Sequence, residues 1–164
     1  MIYISRYSSP IGNFLLAADD VGLISLYFNE VAGLADLSGK KYSEQDRPIF
    51  EKAQRWLDAY FSGRDPGKIP PLRPVGTEFQ KEVWDLLLSV PYGETVTYGE
   101  LAGIIAEKRG LKKMSARAVG GAVGSNPMPI FVPCHRVVGA GGKLGGFSGG
   151  IELKRKLLEL EGHV

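Results

Sequence analysis

The residues best suited to chemistry lie in one short run, Pro133-Cys134-His135-Arg136-Val137, which sets the only cysteine of the chain beside one of its two histidines. A thiol of ordinary pKa about 8.5 is mostly protonated at neutral pH, and a neighbouring base or cation raises the thiolate fraction that attacks. Two readings of the run stand side by side: a reactive nucleophile, or a small buried hydrophobe beside a turn, as most free cysteines are. Adjacent residues of an extended segment point to opposite faces, so Cys134 and His135 touch directly only if the chain turns between them. One cysteine permits no intramolecular disulfide and no cysteine-rich zinc site.

Such a run needs a folded frame, and the composition can supply one. Of 164 residues 44% are apolar and 23% charged, which excludes global disorder. No apolar run approaches the roughly 18 residues that span a bilayer, and Met1 to Arg6 lack the basic-then-apolar order of a signal peptide, so a cytoplasmic protein with no membrane partner is expected. A net charge of +2 is too small to argue for nucleic acid, but it is unevenly spread. Between Glu107 and Glu152 there is no acidic residue, while Lys108, Arg109, Lys112, Lys113, Arg117, Arg136 and Lys143 are basic. A stretch of this kind is either a solvated surface or a phosphate-binding face.

Residues 2–7, 13–18 and 23–28 read as three strands, with turn chemistry at Ser8 to Gly12 and at Asp19 to Gly22, an antiparallel meander. Ile49, Phe50, Ala53, Trp56, Leu57, Tyr60 and Phe61 share a helical stripe over 48–62, with Pro48 suited to the first position. Gly63 to Pro74 holds four prolines and two glycines, fits a linker, and puts a domain boundary near residue 75, giving domains 1–75 and 76–164. Beyond it, Thr77 with Gln80 and Thr97 with Glu100 read as capping boxes, and Ser115 as the cap of a helix over 116–124 rich in small residues. Two short helices, the second preceded by lysines and an arginine, match a helix-turn-helix outline.

The run 133–137 and its surroundings closely resemble the O6-alkylguanine-DNA alkyltransferases, or methylated-DNA–protein-cysteine methyltransferases. The resemblance is carried by Pro-Cys-His-Arg-Val at 133–137, Tyr98-Gly99-Glu100-Leu101-Ala102, Ala116-Arg117-Ala118-Val119-Gly120, Asn126-Pro127, Gly145 to Gly150, and Leu160-Glu161-Gly162-His163, in family order and spacing. It is looser over 1–75. It implies an α+β fold: a ribonuclease H-like N-terminal three-stranded antiparallel sheet with a helix, then a mostly helical, winged-helix-like domain containing the helix-turn-helix.

The function it implies is irreversible, stoichiometric transfer of an alkyl group from O6-alkylguanine in a flipped-out DNA base to Cys134, with O4-alkylthymine as an expected second substrate. Catalytic roles are implied for Cys134 as nucleophile, His135 as base through a bridging water, Glu161 as the carboxylate orienting the histidine, and Tyr98 as proton donor to guanine N3. Asn126, Arg136, Val137, Phe147 and Ser148 are the expected substrate-binding residues, with phenylalanine at 147 where some relatives have tyrosine. Ser115, Ala116, Arg117, Ala118 and Tyr98 are expected to contact DNA, Arg117 filling the space the base leaves. The lesion itself is the methyl donor, so no S-adenosylmethionine, other cofactor or metal is expected, and the partner is duplex DNA met by a monomer. A non-catalytic sensor of alkylated DNA is the first alternative, though Cys134 argues against it. A cysteine hydrolase using Cys134, His135 and Glu161 is the second, and it leaves Arg117, Tyr98 and the basic stretch unexplained.

Overall fold

The structure, a computed structural model, describes residues 1–163 and divides into two compact units, Met1–Val75 and a second beginning at Gly76. In the first, β1 (Ile2–Ser9), β2 (Gly12–Ala18) and β3 (Leu23–Tyr27) form the expected antiparallel meander. The β1–β2 turn closes through Gly12, whose φ of 136° is open to glycine. Period-two alternation sends Ile4, Leu15 and Ala17 to one face, and Tyr7, Phe14 and Leu16 to the other. Both faces are covered, which is why Phe14 to Ala18 are all buried.

On one face lies α1 (Glu30–Asp36), capped by the Asn29 side chain; a Cβ at its Gly33 would come within 2.8 Å of Leu15 and Tyr27, so only glycine lets the helix this close. On the other lies α2 (Pro48–Phe61), with Pro48 in its first turn, Phe61 packed against Tyr7 and Phe14, and Asp58 accepting from the Tyr7 hydroxyl at 2.7 Å. Two features add to the expected three-stranded sheet. Residues 42–44 form β4 (Tyr42–Glu44), parallel to β1, making the sheet order β3-β2-β1-β4. The segment 63–74, expected as a linker, is not free: Leu72 bridges to Leu23, with Leu23 N–H donating to the Pro71 carbonyl at 2.9 Å and Arg73 N–H to the Leu23 carbonyl at 2.7 Å. Its prolines suit a sheet edge, where a missing N–H costs no ladder bond.

The second unit contains α3 (Glu78–Leu87), β5 (Val96–Thr97), α4 (Tyr98–Lys108), α5 (Ala116–Gly124), β6 (Val137–Val138) and α6 (Ile151–Leu160). Both capping boxes are formed, Thr77 with Gln80 and Thr97 with Glu100, and the Ser115 hydroxyl accepts from Ala118 N–H. The indole of Trp84 donates to the Ala122 carbonyl at 2.8 Å and fastens α3 to α5. Helix α5 buries Val119, Ala122 and Val123, an i, i+3, i+4 stripe, and so turns Ala116, Arg117 and Ala118 to solvent. Strands β5 and β6, two residues each, pair in parallel and bring the start of α4 beside the segment that follows Cys134. No helix among the described residues is long and apolar enough to cross a membrane.

Candidate active site

Cys134 reaches its place through a backbone tightly held on both sides. The Asn126 amide donates to the Val132 carbonyl at 2.9 Å and its oxygen accepts from Met128 N–H at 3.0 Å, so one side chain braces the loop from 126 to 132. Within that loop Ile130 has φ 75°, a left-handed conformation that costs a β-branched residue on the order of 1–2 kcal/mol. The chain then makes a single helical turn over Cys134–Arg136 before entering β6. The segment is therefore not extended at Cys134, and the three consecutive side chains leave in different directions.

The Cys134 side chain faces a cleft of about 370 Å³ lined also by Tyr98, Gly120, Val123, Gly124, Gly146, Phe147 and Ser148. Tyr98, half-buried at the first turn of α4, lies across it; a Cβ at Gly120 or Gly145 would sit 3.7 or 3.5 Å from its ring. Burial raises the Tyr98 hydroxyl above its ordinary value, and the neighbouring Cys134 adds to this, so the phenol keeps its proton. Burial likewise pushes the Cys134 thiol up to about 11, against which the Asn126 amide, the Lys154 ammonium and nearby backbone N–H groups pull downward. A thiol at that value is protonated at neutral pH and needs a base at the moment of attack.

His135 is fully buried, and its Nε2 lies 2.5 Å from Oε2 of Glu161, the residue that ends α6. Burial lowers the imidazole below its ordinary value, Glu161 only partly offsetting this, so the ring is neutral and able to accept a proton. Glu161 is itself held from three sides: by His135, by Arg136 Nε at 2.8 Å and by Gly93 N–H at 3.0 Å. Burial alone would raise this carboxyl, but those partners outweigh it and hold it well below the usual carboxylate range. The arrangement is a neutral base backed by a fixed anion, adjoining in the chain a thiol at the floor of a cleft.

Arg136 requires a correction. Expected to bind substrate, it is buried, with its Nε on Glu161 and another guanidinium nitrogen on the Val90 carbonyl at 2.8 Å, and it does not line the cleft. A guanidinium with a buried carboxylate in reach goes to that carboxylate. Val137, also expected to bind substrate, does not line the cleft either, and its carbonyl accepts from Lys154 Nζ at 2.6 Å. Phe147 and Ser148 do line it, and Asn126 lies behind the turn. Ser115, Ala116, Arg117 and Ala118 lie together and exposed at the start of α5, and Arg117 has no ion-pair partner among the described residues. Lys154 is the residue that sequence reading missed. Its signal was available: with Leu157, Leu158 and Glu161 it follows the i, i+3, i+4, i+7 spacing of a buried stripe.

Known proteins share this frame. Residues 78–163 match the family described as 6-O-methylguanine DNA methyltransferase, DNA binding domain, and residues 2–67 match its ribonuclease-like domain. The methylated-DNA–protein-cysteine methyltransferase of Methanosarcina acetivorans is 44% identical over 161 residues, covering 98% of this chain and 99% of its own. That of Haemophilus influenzae is 40% identical over 98% of this chain and 86% of its own. Among solved structures, Mycobacterium tuberculosis OGT in complex with DNA superposes with a TM-score of 0.80 at 42% identity, over 97% of this chain and 92% of that one. The fold and the cleft thus define a protein of the methylated-DNA–protein-cysteine methyltransferase type, with a cysteine in the cleft of its second unit. The chain belongs to the 6-O-methylguanine DNA methyltransferase family.

Proposed function

We propose that this protein repairs DNA by moving the alkyl group of an O6-alkylguanine onto Cys134, once per molecule. The observation that carries this reading is the sole cysteine, set in a glycine-walled cleft and followed in the chain by the buried His135–Glu161 pair. In the reaction the Cys134 proton passes through a water to His135, and Glu161 stabilises the imidazolium that forms. The Cys134 sulfur attacks the alkyl carbon, a sulfur–carbon bond forms, and the carbon–O6 bond breaks. Tyr98, protonated and lying across the cleft, gives its proton to the departing guanine. The thioether is stable, so no second turnover follows. The O4-alkyl group of thymine offers the same bond to the same thiol.

A guanine in duplex DNA must leave the stack to reach Cys134, at a cost of a few kcal/mol. Arg117, exposed on α5 among Ser115, Ala116 and Ala118, fills the vacated space, while the lysines before α5 meet phosphates. The second unit carries both chemistry and DNA contact, and one chain suffices for every step. We place the protein in the cytoplasm, where a lone reactive thiol stays reduced. The test is the intact mass of wild type and Cys134→Ala after incubation with an oligonucleotide holding one O6-methylguanine. A gain of one methyl group on the wild type only, complete at one equivalent, is expected. Binding without mass gain overturns the transfer reading in favour of a sensor, and neither binding nor mass gain reopens the hydrolase.

A further inference from the structure

The proline-rich segment after α2, expected as a linker, is one wall of a second pocket for which the transfer chemistry has no use. Residues three and four apart share one side of a helix, so Lys52, Arg55 and Trp56 of α2 face the same way. Opposite them runs the segment 66–71, which is tied at both ends. The Trp56 indole N–H donates to the Gly67 carbonyl at 3.3 Å and Asp65 accepts from Gly67 N–H at 3.0 Å, while the Pro71 carbonyl accepts from Leu23 N–H at 2.9 Å. Between helix and segment lies a pocket of about 560 Å³, a size that suits one small molecule. All of its lining residues belong to the first unit.

The lining holds three cations, Lys52, Arg55 and Lys68, and no acid. All three are exposed, and none has an ion-pair partner among the described residues. Asp58 and Asp65, close to them in the chain, are engaged elsewhere, with the Tyr7 hydroxyl and with Gly67 N–H. The other walls are Trp56, Ile69 and the rings of Pro66, Pro70 and Pro71, the indole being stacked on Tyr60 with centroids 5.6 Å apart. Proline has no N–H, and the indole N–H is already given to Gly67, so these walls offer flat apolar surface. Three unanswered positive charges around one small cavity favour a ligand whose negative charge sits on a single group. A phosphate monoester carries about two charges and three acceptor oxygens, which suits two ammonium groups and a guanidinium fork better than the single charge of a carboxylate does. We propose that this pocket binds a nucleoside phosphate, the phosphate held by Lys52, Arg55 and Lys68 and the ring packed on the proline segment. A free nucleotide and the phosphorylated end of a nucleic-acid strand share that chemistry. The site makes no use of Cys134 and goes beyond the transfer reading.

The test is a titration of the nitrogen-labelled full chain at low salt, read from backbone amide and indole N–H resonances in NMR spectra. The probes are adenosine 5′-monophosphate, adenosine alone and inorganic phosphate alone. The monophosphate is expected to move the resonances of Lys52, Arg55, Lys68 and the Trp56 indole with a dissociation constant on the order of 0.1 mM. Adenosine and phosphate are each expected to bind at least about tenfold more weakly, because each fills only half of the pocket. The double variant Lys52→Gln, Lys68→Gln, its fold checked in the same spectra, should bind the monophosphate at least about tenfold more weakly than wild type. Its single-turnover repair of an O6-methylguanine duplex should stay within about twofold. A tetranucleotide with a 5′-phosphate that matches the monophosphate, where its unphosphorylated twin does not, supports the proposal with strand ends as the source; a phosphorylated tetranucleotide that fails to bind supports it with free nucleotides. No movement of these resonances at about 5 mM monophosphate overturns the proposal. So does inorganic phosphate or a glutamate peptide that binds as tightly as the monophosphate, since the pocket would then hold an adventitious ion only or an acidic chain. Movement confined to the residues around Cys134, or a double variant that loses duplex repair, overturns it as well. A wild type that takes no methyl group from the duplex overturns the transfer reading, and the titration decides the pocket regardless.

Discussion

The two units bury different things. In the first, the interior is aliphatic and aromatic, from Ile4, Leu15 and Ala17 on one face of the sheet to Phe14 and Leu57 beside the other. In the second, Asn126, His135, Arg136, Lys154 and Glu161 are all buried among the hydrophobes, and every buried polar or charged residue among those described lies there. An apolar interior gains stability from each residue it covers. A charged interior gains little, because desolvation takes back most of what ion pairing supplies. The second unit therefore holds an arrangement that stability alone does not explain, and buried groups with displaced proton affinities are where function is sought.

The sharpest way to break that contrast is Glu161→Gln. With transfer through His135, the single-turnover rate is expected to fall about a hundredfold or more, and loss of the anion shared by His135 and Arg136 to cost about 3–5 kcal/mol in urea unfolding. Equal rates in variant and wild type would reduce the pair to a structural contact. Leu57→Ala in the first unit should cost a comparable 2–5 kcal/mol. Its rate per folded molecule should stay within about twofold of wild type, since the residues that line the cleft all belong to the second unit.

The third comparison is with acid. Glu161 and His135 both have folded proton affinities below their ordinary values, 4.5 and 6.5, so the unfolded chain takes up protons first. The stability they contribute is present above those values and is lost as pH falls, beginning near 6.5 and continuing through 4.5. The urea midpoint should decline over that window in wild type and more gently near 4.5 in Glu161→Gln; identical slopes there would show that Glu161 is not linked to folding. The smallest effect is expected at the surface. Arg117→Ala should lower the salt slope of duplex binding by about one and slow repair on duplex DNA more than reaction with free O6-alkylguanine; equal losses on both substrates would remove its role in base extrusion.

Local rules made much of this frame legible. Thr77, Thr97 and Ser115 announce helix starts because a cap needs only residues within one turn, and the run around Cys134 is contiguous. Strand β4 is different: three residues become a strand only because β1 offers an edge. Helix α1 is short, carries Gly33, and owes its place to contact with Leu15 and Tyr27, so the Asn29 cap alone is a weak sign of it. Arg136 and Lys154 escaped for a shared reason. A basic side chain is read as facing solvent or ligand, and only the fold reveals a carboxylate or three carbonyls waiting inside.

The three-way grip on Glu161 also has a consequence in time. His135 and Glu161 are 26 residues apart, and the ribosome makes the histidine first. A nascent chain thus carries its thiol and neighbouring imidazole before the carboxylate that orders them has been synthesised. The His163 ring, bonded to the Gly93 carbonyl at 2.6 Å, secures the same corner from two residues further on. The corner that holds Cys134 and His135 therefore cannot close until the residues up to His163 have been made.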